Sequence, residues 1–329
     1  MQPNQIKDLA AHCEQFRTPN TGIAIGQIVT TVIPFIALIG AMYFSLDYSY
    51  WITLALSLPA AGMIIRFFII QHDCGHGSFF ASKTANDLTG RLISIVTLTP
   101  YAYWQRAHAL HHATSSNLDR RGFGDIDTLT VAEYKALPLM KRINYRIYRN
   151  PFIMTFVGGV VHFLIIQRLP FTVQRPSRKM TSSVLMLNVA IVVVYGAIGA
   201  LFGWVNFVLI FAPIVVFSGA AGVWLFYVQH QFEETHWSRD GEWDRKTAAV
   251  LGSSYYQLPG ILNWFTGNIG LHHIHHLCSH IPNYRLQECM AAKPELASIN
   301  RLTFWESLKC AHLALWDEDS RRLVSFAQA

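Results

Sequence analysis

Charge is scarce in this chain. Asp, Glu, Lys and Arg together make up 14% of 329 residues, and none of them occurs between Met180 and Phe232. Hydrophobic residues reach 52%, a balance that excludes an ordinary soluble globule and points to a bilayer. Cysteine is sparse as well. Cys13, Cys74, Cys278, Cys289 and Cys310 are all expected on the cytoplasmic side, so no disulfide framework is expected. There is no Gly-rich phosphate loop, zinc-finger spacing, internal repeat or low-complexity linker. The amino-terminal end lacks a basic segment followed by a cleavage site, so its first apolar run reads as a retained span. The net charge is +6. Its excess lies beside the apolar runs, where anionic headgroups would attract it, and it requires no nucleic-acid partner.

What is present begins with spans. A membrane-crossing helix needs about 20 mostly apolar residues. Residues 22–43 and 51–70 qualify, and the uncharged run fits two crossings, at 182–202 and 206–229, with a turn near Gly203-Trp204-Val205-Asn206. Segment 71–182 holds 14 Lys and Arg, whereas 44–50 and 203–206 hold none. Basic loops stay in the cytoplasm, so four spans put both termini, 71–182 and everything beyond 230 on that side. Two further apolar stretches, 92–104 and 151–167, read as interfacial or re-entrant. The expected fold is therefore an all-α integral membrane protein, a single domain over 1–329. It has four transmembrane helices, two interfacial helices and a cytoplasmic helical cap carrying a histidine-rich di-metal site.

Eight of the nine histidines in three boxes have helix-face spacing: His72 and His76 in HDCGH, His108, His111 and His112 in HALHH, and His272, His275 and His276 in HHIHH. Residues three and four apart share a helix face, so each box aims two or three imidazoles at one point. Neutral imidazole suits iron, copper and zinc. Eight ligands exceed one four-coordinate zinc site and suit two metal ions with open positions. His230 directly follows the fourth span and reads as a ninth ligand. His273 points away from the shared face, and His12, His162 and His312 read as structural or solvated. Asp73, Asp125, Asp127, Glu233 and Glu234 are acids near the boxes, and Asp73, Asp125 and Glu233 are candidates to accept the outer N–H of a ligating ring. Asn268 lies four residues before His272 and could hold a metal-bound water. His280 lies four residues after His276 and is a further supporting candidate.

These residues resemble the membrane-bound fatty acid desaturases, in particular the bacterial acyl-lipid delta-12 (omega-6) type. The matching text is HDCGHGSF at 72–79, HALHHATSS at 108–116, DRRG at 119–122, GNIGLHHIHHL at 267–277, IPNY at 281–284 and LWDE at 315–318. The resemblance implies a non-haem di-iron centre held by His72, His76, His108, His111, His112, His230, His272, His275 and His276. O2 is the implied co-substrate, and the implied reaction removes two hydrogens from a lipid acyl chain to leave a cis double bond. Animal relatives carry Asn one turn before the last-span histidine, where this chain has Phe226. The fused cytochrome b5 motif His-Pro-Gly-Gly is absent from this sequence, which implies a separate electron donor such as ferredoxin with its reductase. The location implied is the bacterial inner membrane.

A di-iron membrane hydroxylase, ketolase or alkane monooxygenase would use similar boxes, and the text around the boxes favours desaturation. A haem carrier would place paired His within spans, and a transporter would line its path with polar groups; neither matches boxes gathered at one face. Phe79, Phe80, Trp104, Trp224, Trp264 and Phe265 lie near the boxes. They are expected mostly as an interfacial belt, with some lining an apolar acyl tunnel.

Overall fold

In a computed structural model describing residues 1–122, 124–170 and 176–329, the apolar runs form four long helices. They are Thr21–Ser45, Tyr50–His76, Arg178–Phe202 and Trp204–His230, each long and apolar enough to cross a membrane. The protein is an integral membrane protein, and large side chains such as Ile36, Val192 and Leu201 stay exposed on these helices, where lipid would cover them. Arg175, one of the 14 basic residues counted above, lies outside the described residues.

The ends of these helices follow from local chemistry. Asn20 caps the first by accepting from the amide of Ile23 at 3.1 Å, and Ser177 caps the third by accepting from Met180, as N-cap side chains do. Gly77, at φ 70°, terminates the second immediately after His76, an αL stop that glycine adopts without penalty. Gly203, at φ 89°, is alone enough to separate the third and fourth, so the expected turn over 203–206 contracts to one residue.

Between the second and third spans the chain makes two hairpin-like excursions. The stretch 92–104 does not form one helix. It breaks into Lys83–Thr97 and Tyr101–Thr114, because Leu98 turns left-handed at φ 54° and Pro100 disfavours helix at the residue before it. The stretch 151–167 joins Leu139–Tyr148 to Ile153–Arg168 through a bend of 73°, the form of a broken span or re-entrant loop. Its Gly159 lies against Gly219 of the fourth span so closely that a Cβ on Gly159 would stand 2.7 Å from the Gly219 carbonyl carbon. Small residues permit such backbone approach in membranes.

Two small sheets depart from the all-α expectation. Leu129–Thr130 pairs in parallel with Leu313–Asp317, which pairs antiparallel with Arg322–Ser325. Tyr255–Gln257 pairs in parallel with Arg301–Thr303. These strands are too short to show a period of two in the sequence. They tie the carboxyl-terminal cap to the region above the spans. Buried Arg149 adds to this by donating to the Asp127 and Leu313 carbonyls and to Gln231 Oε1.

Gly159→Ala is expected to cost about 1–3 kcal/mol through overpacking, seen as a lower unfolding midpoint in detergent. Gly196→Ala, with open space at its Cβ position, is the control and should leave the midpoint in place. Equal midpoints for both variants would remove the close approach as a determinant.

Candidate metal centre

The three boxes reach one place from four directions. His72 and His76 occupy the last turn of the second span, and His230 the last residue of the fourth. His108, His111 and His112 lie on Tyr101–Thr114, and His272, His275 and His276 on the short helix His272–Leu277. Gly75, inside the first box, is there for space: a Cβ would stand 2.8 Å from the Trp104 ring. Trp104 in turn stacks on His108 with ring centroids 4.6 Å apart.

Nine ring nitrogens form two groups. His72, His76, His108, His112 and His275 make one, and His111, His230, His272 and His276 make the other, the ligand atoms of each lying within 4.8 Å of one another. Nε2 of His111 is 3.1 Å from that of His230 and 3.2 Å from that of His276. Nε2 of His112 is 3.1 Å from His108 and 3.0 Å from His275.

The outer ring nitrogens explain which proton sits where. His111 Nδ1 meets the Asp125 carboxylate, His72 Nδ1 is 3.0 Å from Asp73 Oδ1, and His230 Nδ1 is 3.1 Å from the Gly252 carbonyl oxygen. Those oxygens accept, so in the neutral rings the protons are on Nδ1 and the Nε2 atoms carry lone pairs. His111 and His230 therefore bring lone pair to lone pair at 3.1 Å inside the protein. Nε2 of both His72 and His76 is also buried without a hydrogen-bond partner. Such groups cost free energy, and a cation at each focus satisfies them. The donor set thus fits two metal ions, with all nine imidazoles as neutral ligands and the carboxylates held behind them.

Electrostatics agree with the neutral form. Burial, reinforced by neighbouring imidazoles, holds His108, His112, His272, His275 and His276 well below the ordinary histidine range.

The supporting residues divide. Asp73 and Asp125 stand against ligand rings, as given above. Asp73 is itself held by Asn283, whose backbone N–H and Nδ2 donate to its second oxygen at 2.6 and 2.8 Å. Gln27 of the first span then donates to Asn283 Oδ1 at 2.9 Å. Glu233 is not brought to the rings. The helix ends at His230, the chain turns at Gln231, and Glu233 faces out toward Arg322 at 3.5 Å. Glu234 is likewise exposed. Asp127 uses its backbone carbonyl for Arg149. Asn268 and His280 would lie one turn from the box only if helix continued on both sides of it, but that helix covers only His272–Leu277. Asn268, at φ 59°, donates instead to the Asn283 carbonyl, and His280 is exposed. His273 turns away to the Leu296 carbonyl at 3.0 Å, and burial lowers it to about 4. His12 binds the Cys289 carbonyl, and His162 contacts Gln167.

Phe226 packs against two ligand rings, with centroids 5.1 Å from His111 and 5.4 Å from His230. Asn283, Gln27 and the Gly252 carbonyl carry no ligand spacing, and only the IPNY text marks Asn283. Below the rings lies a cavity of about 1610 Å³ with mainly apolar walls, reached by His72, His108, His272, Phe68 and Phe226. Of the six aromatics singled out from the sequence, Trp104 lines it. Phe79 and Phe80 are core, Trp264 lies under the Arg66 guanidinium, Phe265 packs on Gly62, and Trp224 stacks on Tyr227.

Comparison with known proteins matches this architecture. A family profile described as "Fatty acid desaturase" matches residues 49–307. A Bacillus subtilis protein named "Fatty acid desaturase" is 46% identical over 97% of this chain and 90% of its own length. A Synechocystis "sn-1 acyl-lipid omega-3 desaturase (ferredoxin)" is 32% identical over 71% of this chain and 65% of its own length. A Synechocystis "sn-1 oleoyl-lipid 12-desaturase" is 26% identical over 74% and 69% respectively.

The metal-free protein should lose stability as pH falls below about 6.5. The unfolded histidines bind protons there, while the folded ones, with lowered affinity, do not, so the unfolded state gains. Unfolding midpoints of chelator-treated protein at pH 7.5 and 5.5 measure this. A midpoint that is flat or higher at pH 5.5 contradicts neutral, buried ligands.

Proposed function

Because the chain belongs to the fatty acid desaturase family, whose members are oxidoreductases, we propose that it is an O2-dependent acyl-lipid desaturase. It uses two iron ions held by His72, His76, His108, His112 and His275 on one side and His111, His230, His272 and His276 on the other. It places a cis double bond at the delta-12 (omega-6) position. The observation that supports this most directly is the position of the two imidazole groups at the wall of a long apolar cavity. The delta-12 assignment draws on the text around the boxes and on the more distant oleoyl-lipid relative.

Iron bound at this site, with O2, supplies the oxidant that an unactivated methylene pair requires and that no acid or base side chain provides. The chain's own residues position everything else. Asp73, Asp125 and the Gly252 carbonyl hold three rings in one tautomer. Trp104 and Phe226 cover ring faces and keep water from the cavity side. The apolar walls orient one C–C bond toward the rings, and fixed geometry of this kind is worth several kcal/mol of barrier. Electrons come from a separate carrier of the ferredoxin type, in keeping with the name of one relative. In this reading both termini and the rings face the cytoplasm at a bacterial inner membrane, which the basic loops support.

The test is a fatty-acid profile in a bacterium that makes only saturated and monounsaturated acids, with a ferredoxin system co-expressed. Wild type should add diunsaturated chains. His275→Ala and His111→Ala should add none and should purify with less iron, while His312→Ala behaves as wild type. His273→Ala should keep its iron and lose stability instead. Hydroxylated lipids in place of new double bonds, or full activity of His275→Ala, would sink this assignment.

A further inference from the structure

A second polar cluster lies on the same cavity, away from the rings. His162, Gln167 and Leu98 line the cavity. Arg168, next to Gln167, donates to the carbonyl of Leu98. Two other atoms of its guanidinium, Nε and Nη1, are buried without a partner. Gln167, only 5% exposed, spends one end of its amide on His162 at 2.9 Å, and its Oε1 is also unpartnered. No Asp or Glu occurs from Leu139 to Pro170 or from Met180 to Phe232, and among the described residues no carboxylate pairs with the arginine. Asn188, midway along the third span, binds the Arg168 backbone carbonyl at 3.0 Å, which puts this charge within the apolar zone. A charge there is costly and marks a binding function.

We propose that this cluster binds the polar end of the acyl substrate, through acceptor oxygens of a carboxylate, an ester or the adjoining phosphate. The inference rests on the lipid-desaturase reading above. Arg168 Nε and Nη1 donate to the oxygens. The Gln167 amide, turned over, keeps its bond to His162 with Oε1 accepting and presents its N–H2 to the ligand. The wall that carries the cluster is tied to the ring-bearing span: Thr99, next to Leu98, accepts at its carbonyl from Gln71, the residue before His72. An anchor here sets which carbons lie at the rings, counted from the carboxyl end of the chain.

Four pyrene-labelled probes of matched length test it on the purified full chain: a phosphatidylglycerol, a free fatty acid, its methyl ester and an alkane. Wild type should hold the oxygenated probes more tightly than the alkane. Arg168→Gln should weaken anionic probes by roughly tenfold, as expected for lost charge-assisted hydrogen bonds, leave the alkane unchanged, and be partly restored by Arg168→Lys. Loss confined to the free acid identifies a carboxylate ligand, and loss confined to phosphatidylglycerol identifies a headgroup. Equal loss on all four probes, or none on any, overturns the subsite. Arg168-dependent binding in a protein that forms no double bonds keeps the subsite and discards the desaturase reading. New double bonds with binding indifferent to Arg168 do the reverse.

Discussion

The convergence of neutral imidazole lone pairs in a buried place is the constraint from which the rest of this structure follows. His111 and His230 each have the outer nitrogen committed to an oxygen, so their inner nitrogens face each other as acceptors only. Among the described residues, the Nε2 atoms of these two rings meet only other imidazole nitrogens. Without cations the arrangement is a set of desolvated, mutually repelling groups, and with them it is a rigid joint between four separate segments. The two spans also pack on each other through Ala60, Ile210 and Ile214, and Ile274 of the six-residue helix is seated in its own apolar core, so the rings join segments that packing has already brought near. Metal binding adds its free energy to that assembly.

That constraint explains the unusual polarity of the surroundings. Asp73 is buried, yet it carries three hydrogen bonds, from His72, the Asn283 backbone and the Asn283 side chain. Gln27 extends the chain of donors into the first span. The first span thus has a role at the centre although none of its residues reaches the metal ligands. Gln27 keeps one buried oxygen, Oε1, unpaired, whereas the Asp73 carboxylate is satisfied because the segment after the third box folds back on the second span.

What the sequence made legible was short-range. The boxes were readable because a helix puts residues three and four apart on one face, and the spans because their length and lack of charge have no soluble counterpart. Asp73 was found by adjacency, and Asp125 stands fourteen residues beyond His111 in a loop. Failures share one cause: helix was extended beyond its true ends. Asn268 and His280 stand four residues from the third box, a spacing that means one turn only in helix, and the chain there is not helical. Glu233 was assigned by closeness to His230, but Gln231 turns the chain outward. The parallel pairings Leu129–Leu315 and Tyr255–Arg301 join residues far apart in sequence, and no local pattern encodes them.

Phe226 shows how a single substitution can alter the shell around the rings while leaving the ligand set alone. Its ring packs against His111 and His230 from the cavity side, at a position where animal relatives of this family carry a polar Asn. An aromatic side chain has no atom to hold a water at a metal. It removes one hydrophilic contact from the cavity wall and makes that wall continuous with Phe68 and Trp104. Beside the imidazoles the cavity wall carries few polar side chains, Asp125 and Gln229 among them, and is otherwise mainly apolar. A saturated methylene segment gains nothing from polar contacts, so a wall of this kind positions it by shape alone. Discrimination along the chain must then come from where its polar end is held, not from what surrounds its middle.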